Sequence, residues 1–202
     1  MKTKELVHEL KHHLPLTVFA TAIALVVVLV VGYSLKQNLS ETFFDVLHPL
    51  HIFASAIVAS GIFYKYKPKV LGALSVGIIG AILIGSLSDV LLPWLGGNLL
   101  NLETIFHLPL IESPYLILFS AIFGSAVGIG TKITKVPHFV HVFLSVFASL
   151  FYLIAFSTGM TLLPFLIAFF IIIIAVVVPC CVGDIVLPFF FLGKKIKTCE
   201  CK

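Results

Sequence analysis

Apolar residues form six long runs along the chain, separated by short polar segments. A helix of roughly 20 apolar residues, rising ~1.5 Å per residue, crosses the hydrocarbon core of a bilayer. The pattern therefore predicts an all-α integral membrane protein with six transmembrane helices and no soluble domain. The predicted spans are 14–35, 44–64, 70–95, 115–131, 138–156 and 163–192.

Two of these predicted helices contain prolines far from their N-terminal ends. Pro93 lies in the third span, and Pro179 and Pro188 lie in the sixth. A proline inside a helix removes one backbone hydrogen bond and clashes with the preceding turn. A kink or break is therefore predicted at Pro93 and between Cys180 and Pro188.

Composition and charge agree with a bilayer as the surrounding medium and indicate an orientation. Hydrophobic residues make up 60% of the chain, and the 13 basic residues are all lysines. In the six-span arrangement every lysine except Lys36 falls on one side, which the positive-inside rule assigns to the cytoplasm. Both termini are thus predicted to be cytoplasmic in the cell membrane. The net charge of +4 is attributed to lysines near anionic lipid head groups, and no nucleic-acid partner is expected.

The chain also contains an internal repeat that carries polar residues. The segment 48–55, HPLHIFAS, returns as 138–145, HFVHVFLS, and 88–93, SDVLLP, returns as 183–188, GDIVLP. Each half has three predicted spans, so the second half begins on the opposite side of the membrane. The sequence predicts two inverted three-helix repeats, residues 1–105 and 106–202.

The repeated histidines and aspartates predict a site for a divalent transition metal. Histidines at positions i and i+3 share one helix face, and two histidines with one carboxylate suit zinc, iron, manganese, cobalt or nickel. The HxxH pairs are expected near helix starts, where the helix dipole favours neutral imidazole. Their depth in the membrane stays open, because Pro49 and Pro137 either begin these helices or kink them. Two such clusters are predicted, one toward each face of the membrane. The predicted ligands are His48, His51 and Asp89 in the first half, and His138, His141 and Asp184 in the second half.

Further donors lie near the ends of the predicted spans. His107 and Glu112 precede the fourth span, His12 and His13 precede the first, and Cys180 and Cys181 lie in the sixth. Taken singly, such histidines are more often polar groups at the head-group level. The Cys199-x-Cys201 tail is a weak metal signal by itself, and Ser55 and Ser145 are interpreted as helix-packing residues.

These features favour a membrane transporter for a divalent transition-metal cation, with proton coupling because the ligands lose protons when they bind metal. Two alternatives are an intramembrane metal-dependent hydrolase and a haem-binding electron carrier. No GxSxG, Walker or HExxH motif occurs. A chain of this size is also compatible with a homodimer. The sequence leaves open whether the two clusters are separate sites or parts of one path.

Overall fold

The computed structural model describes residues 15, 18–27, 37–131, 135–158, 162–181, 187 and 191. These residues form helices joined by short connections, and the described part of the chain contains no strand. The helices are α1 (Val18–Val27), α2 (Gln37–Tyr66), α3 (Val70–Ser86), a π-helical segment (Leu87–Leu91), α4 (Leu92–Leu99), α5 (Pro109–Glu112), α6 (Pro114–Thr131), α7 (Lys135–Phe156) and α8 (Leu162–Cys181).

The helices match the apolar runs of the sequence. Three helical stretches are long and apolar enough to cross a membrane, namely Ser40–Tyr66, Val70–Leu99 and Pro114–Thr131. Shorter apolar helices cover Val18–Val27, Val140–Phe156 and Leu166–Pro179. The prediction of a helical membrane protein with transmembrane helices is confirmed. The break predicted near Cys180–Pro188 lies almost wholly outside the described residues.

Helix α2 is the central helix of the molecule and packs against α3, α6 and α7. In the most apolar 18-residue window of each long stretch, the buried share is 72% for Ser40–Tyr66, 39% for Val70–Leu99 and 28% for Pro114–Thr131. A helix surrounded by others on most sides can bury polar groups away from lipid, whereas the outer helices must present apolar side chains. Any polar site inside the bundle is therefore expected to involve α2.

The contacts between α2 and α7 show that these two helices run antiparallel. Near the start of α2, the ring of Phe44 packs on Tyr152, which lies near the end of α7. Further along α2, His51 meets His141, which lies much earlier in α7. Contact partners on α7 therefore have decreasing residue numbers as the numbers increase along α2.

Helix α6, in contrast, runs parallel to α2 and approaches it closely. A Cβ atom added to Gly124 would collide with the carbonyl oxygen of Phe53, and one added to Gly128 would collide with that of Ile57. The two glycines are four residues apart on α6, and so are the two carbonyls on α2. This spacing of small residues lets two apolar helices approach to backbone contact.

The second long helix is continuous from Val70 to Leu99, but its hydrogen bonding changes in the middle. Within the π-helical segment the Leu92 amide donates to the Leu87 carbonyl, five residues back. Pro93 has no amide hydrogen, so it cannot bond the Asp89 carbonyl as an α-helix requires. The irregularity predicted at Pro93 is thus a π-helical turn just before the proline, a feature that is frequent at functional sites.

Candidate functional site

Two buried imidazoles of α2 share one carboxylate oxygen of the π-helical segment. The Oδ2 atom of Asp89 lies 2.9 Å from Nδ1 of His48 and 2.7 Å from Nδ1 of His51. All three side chains are fully buried. An ionised carboxylate only accepts hydrogen bonds, so with Asp89 ionised Nδ1 carries the hydrogen in both rings.

The other carboxylate oxygen of Asp89 is bound by two serine hydroxyls. Ser88 donates to Oδ1 at 2.7 Å, and Ser145 of α7 donates to the same atom at 2.8 Å. Asp89 therefore accepts four hydrogen bonds, which offsets much of the cost of burying its charge. We call these five residues, His48, His51, Ser88, Asp89 and Ser145, the histidine–aspartate centre.

Local structure explains why these side chains meet. His48 and His51 lie one turn apart on the same face of α2. Gly85 of α3 faces them, and a Cβ atom added there would lie 2.9 Å from the Ile52 side chain and 3.8 Å from His48 Cε1. The glycine lets α3 lie close to α2, so that Asp89 reaches both rings.

The sequence predicted the centre at the start of this helix, whereas the structure places it in the middle of α2. The helix begins at Gln37, well before the predicted residue 44, so His51 is preceded by fourteen helical residues and followed by fifteen. Pro49 lies inside the helix and does not begin it. The helix dipole acts only within the first turn, so its predicted effect on these two rings is wrong.

The second half of the chain reaches the same centre. The ring of His141 on α7 stacks on His51 with centroids 5.6 Å apart and planes 9° apart, and His141 is fully buried. The sequence predicted two clusters, one toward each membrane face, whereas the structure brings a histidine of the second set against the first. Asp184 and the side chain of His138 lie outside the described residues.

The far side of each α2 imidazole is also buried. The Nε2 atoms of His48 and His51 have no hydrogen-bond partner among the residues that the structure describes. Buried polar atoms are nearly always paired in proteins, with protein groups or with ordered water, so two orphans in one cluster are unusual.

In the described part of the chain, no three or more His, Cys, Asp or Glu side chains are arranged to hold a metal ion. Within the centre, Nδ1 of His48 and Nδ1 of His51 both lie within hydrogen-bond distance of Oδ2 of Asp89. Asp89 acts here as the acceptor that orients both rings. This carboxylate–histidine pairing also supports histidine ligands in metal proteins.

A second polar group lies near the centre, around His107. Its Nδ1 atom is 2.9 Å from Glu112, and its Nε2 atom is 3.7 Å from Asp45. Together with Glu41 these residues line a cavity of about 170 Å³, which also touches Pro49 of α2. We call His107, Glu112, Asp45 and Glu41 the acidic vestibule. His107 and Glu112, which the sequence predicted as additional ligands, contact each other. They lie in the vestibule and not beside Asp89.

Aromatic rings separate the acidic vestibule from the histidine–aspartate centre. Phe44, which is fully buried, stacks on His48 at 5.4 Å and meets the edge of His107 at 5.8 Å. Phe156 stacks on His107 at 4.2 Å and contacts Phe44. Phe44 thus contacts one histidine of the centre and the histidine of the vestibule.

Sequence reasoning missed several of these residues. Ser145 was interpreted as packing, although its place in the repeat beside the HxxH pair was a usable signal. Glu41, Phe44 and Asp45 lie on α2 and carried no motif. Glu41 and Asp45 belong to the vestibule because the loop before α6, with His107 and Glu112, lies against them. Other predicted donors, namely His12, His13 and the side chains of Cys180 and Cys181, lie outside the described part of the chain.

Comparisons with protein-family models, with curated proteins and with solved structures give no match for this chain. Any functional conclusion therefore depends on the geometry described above.

Proposed function

We propose that this protein is a membrane carrier that exchanges a divalent transition-metal cation for protons. The proposed architecture is six membrane spans in two inverted three-helix repeats, with both termini in the cytoplasm. The cation is the cargo, and zinc, iron, manganese, cobalt and nickel are the candidates. The observation that carries the proposal is the convergence of two imidazole nitrogens and one carboxylate oxygen in the buried middle of the central helix.

The chemistry of these three atoms suits a cation that competes with protons. If both rings are imidazolium, the charges of His48, His51 and Asp89 sum to +1. When one divalent cation replaces the two Nδ1 protons, the sum is again +1, because both rings become neutral. Exchange without a change of charge avoids placing an uncompensated ion in a low-dielectric interior. Binding of metal and release of protons are thereby coupled.

The hydrogen bonds of the centre are also suited to a carrier that must change conformation without cargo. Asp89 accepts four hydrogen bonds from protein groups, and these compensate its charge. A carboxylate without these donors would oppose any movement that takes it past lipid.

The directions of the helices support the inverted repeat. Helices α2 and α7 are equivalent in the repeat and run antiparallel, as a two-fold axis in the membrane plane requires. Substrate sites of such carriers lie near the bilayer midplane, at the interface of the repeats. The position of His51 midway along α2 and its contact with α7 agree with this placement.

The acidic vestibule supports a cationic cargo. Asp45 and Glu112 are about half exposed, at 51% and 52%, and with Glu41 they give one end of the bundle a concentrated negative charge. A cleft lined by one sign of charge raises the local concentration of ions of the opposite sign.

The test is flux in proteoliposomes that contain a metal-sensitive dye and, in parallel, a pH indicator. Each of the five candidate ions is added outside, and at least one is expected to accumulate while protons move the opposite way. His48→Gln/His51→Gln keeps polar groups opposite Asp89 but removes the imidazole ligands, and should lower flux at least tenfold. Ser75→Ala, an exposed site on α3, is the control and should not change it.

Other outcomes count against the proposal. If none of the five ions accumulates with folded wild-type protein, the carrier proposal is wrong. Stoichiometric bound metal without flux would instead favour the intramembrane metal-dependent enzyme.

A further inference from the structure

We propose that Ser149 of α7 is a positioning residue for Asp89, because its hydroxyl takes the place of a backbone hydrogen that Pro93 lacks. Through this contact α7 keeps the π-helical turn in the conformation that directs Asp89 at His48 and His51. For transport, this role rests on the proposed function, since it makes the position of α7 decide whether Asp89 and the two imidazoles are assembled.

The π-helical turn and the proline together deprive one carbonyl group of its backbone donor. The Ser88 carbonyl would accept from the Leu92 amide in an α-helix and from the amide of residue 93 in a π-helix. The Leu92 amide instead donates to the Leu87 carbonyl, and Pro93 has no amide hydrogen. Ser88 is fully buried, where an unpaired carbonyl group is costly. The conformation of the turn therefore requires a donor from another element.

Ser149, which lies on α7 one turn after Ser145, supplies this donor. Its Oγ atom lies 3.1 Å from the Ser88 carbonyl oxygen and 2.7 Å from the Ser145 carbonyl oxygen of its own helix. One hydroxyl hydrogen serves both acceptors. The Ser145 carbonyl already accepts the Ser149 amide in a regular α-helix, whereas the Ser88 carbonyl receives neither the Leu92 nor a residue-93 amide. The hydroxyl is therefore needed at Ser88.

Two successive turns of α7 thus bind two successive residues of the π-helical segment. Ser145 donates to Oδ1 of Asp89 at 2.8 Å, and Ser149 donates to the carbonyl of Ser88. One bond fixes the carboxylate, and the other fixes the backbone that carries it. Both hydroxyls belong to the second half of the chain, while the segment that they bind belongs to the first half.

The conformation of this turn decides where Asp89 points. Each residue advances an α-helix by about 100°, and a π-helical turn accommodates one extra residue. If the turn became α-helical, side chains after it would rotate by about that angle relative to those before it. Asp89 would then leave its positions 2.9 and 2.7 Å from the two imidazoles. Movement of α7 away from the segment removes both serine hydroxyls together, so movement between the two halves and the direction of Asp89 are coupled.

The test is NMR of the full-length protein in detergent with ¹⁵N-labelled histidine. An imidazole N–H group that donates to a carboxylate gives a proton signal far downfield, and His48→Gln and His51→Gln assign the two signals. Ser149→Ala should shift both signals upfield or remove them through exchange with solvent. Ser149→Thr keeps the hydroxyl and should retain both signals.

Ser60→Ala is the matched control, because Ser60 makes the same kind of contact elsewhere. Ser60 is fully buried, and its hydroxyl lies 2.7 Å from the Ala56 carbonyl of its own helix and 3.0 Å from the Ser125 carbonyl of α6. A purely structural loss is therefore comparable in the two variants. Ser60→Ala should retain both imidazole signals, whatever its melting temperature.

The possible results separate this role from the proposed function. If Ser149→Ala keeps both signals at their wild-type positions, or if Ser60→Ala loses them as well, the positioning role is overturned and the carrier proposal stands. If the wild type lacks the two downfield signals, the positioning role is also overturned. If Ser149→Ala alone shifts them but the folded wild type transports none of the five ions, the positioning role stands and the carrier proposal falls. If Ser149→Ala does not fold, Ser149→Cys, whose thiol is a weak donor, replaces it under the same criteria.

Discussion

Asp89 is the residue that organises the polar interior of this bundle. Its two oxygens accept hydrogen bonds from two histidines of α2, a neighbouring serine and a serine of α7. A buried charge in an apolar bundle is tolerable only with such partners. The same carboxylate thus holds three helices together and fixes the direction in which both imidazoles point.

Substitution of Asp89 should separate its structural role from its functional one. Asp89→Ala leaves two buried imidazole N–H groups without an acceptor and should destabilise the fold by about 3–5 kcal/mol. Asp89→Asn retains one acceptor oxygen, so it should melt at a higher temperature than Asp89→Ala and still lose cation binding. Thermal melting in detergent, with binding measured on the same samples, tests both statements.

The half-exposed Asp45 gives the comparison for this experiment. Asp45→Asn should leave the melting temperature within error of the wild type, since exposed carboxylates contribute little to stability. Equal melting temperatures for Asp89→Ala and Asp45→Asn would show that the hydrogen bonds of the centre do not stabilise the fold.

At the scale of elements, close packing of α6 on α2 sets the frame in which the centre is held. Gly124 and Gly128 put the α6 backbone against the carbonyl groups of Phe53 and Ile57. His48 and His51 lie on the same stretch of α2, just before Phe53. An error in this interface would therefore shift α2 relative to α3 and move His48 and His51 away from Asp89.

Alanine substitution of the α6 glycines should show this dependence. Gly124→Ala and Gly128→Ala force α6 away from α2 and should each cost about 1–3 kcal/mol through overpacking. Gly130→Ala is a matched control on the same helix, since no heavy atom lies within 4 Å of its added Cβ. The control should not lower the melting temperature, because alanine favours helix more than glycine does. Equal destabilisation at all three positions would contradict the close contact.

At the scale of the whole molecule, exchange of a cation for protons makes binding depend on pH. Binding at His48 and His51 requires that their Nδ1 protons leave, so a fall in pH opposes it. The apparent affinity should drop by up to about tenfold per pH unit for each proton displaced. Titration with the best-bound cation at pH 5.5, 6.5 and 7.5, together with proton release in weak buffer, measures the number of protons displaced per cation. Affinity that does not change over this range would contradict the exchange of the cation for protons at these two rings.

The proposed orientation makes a second prediction for the whole molecule. The connection after α2 contains Lys69, and the connection after α4 contains Asn101, both exposed. If the chain spans the membrane between them with the termini inside, an impermeant maleimide added to intact cells should label Asn101→Cys and not Lys69→Cys. The background carries serine in place of Cys180, Cys181, Cys199 and Cys201. Labelling in permeabilised cells shows that Lys69→Cys is reactive, and the opposite pattern in intact cells would reverse the orientation.

Sequence alone determined the class of structure and the main polar residues of the candidate site. Runs of apolar residues dictate helices in a bilayer, because backbone groups there must be hydrogen-bonded within their own segment. The rarity of ionisable residues in these runs made His48, His51, Asp89 and His141 conspicuous. All four are buried; the first three belong to the histidine–aspartate centre, and His141 stacks on it.

Tertiary structure decided how these residues are connected. Sequence could not show that Asp89 accepts from both rings, that Ser145 crosses from α7, or that His141 stacks on His51, because such contacts depend on the relative positions of helices. The sequence also led to the prediction of the HxxH pair near a helix start, because a proline within an apolar run can begin a helix or lie inside it. Packing against α3, α6 and α7 keeps α2 helical through Pro49 and puts the centre midway along it.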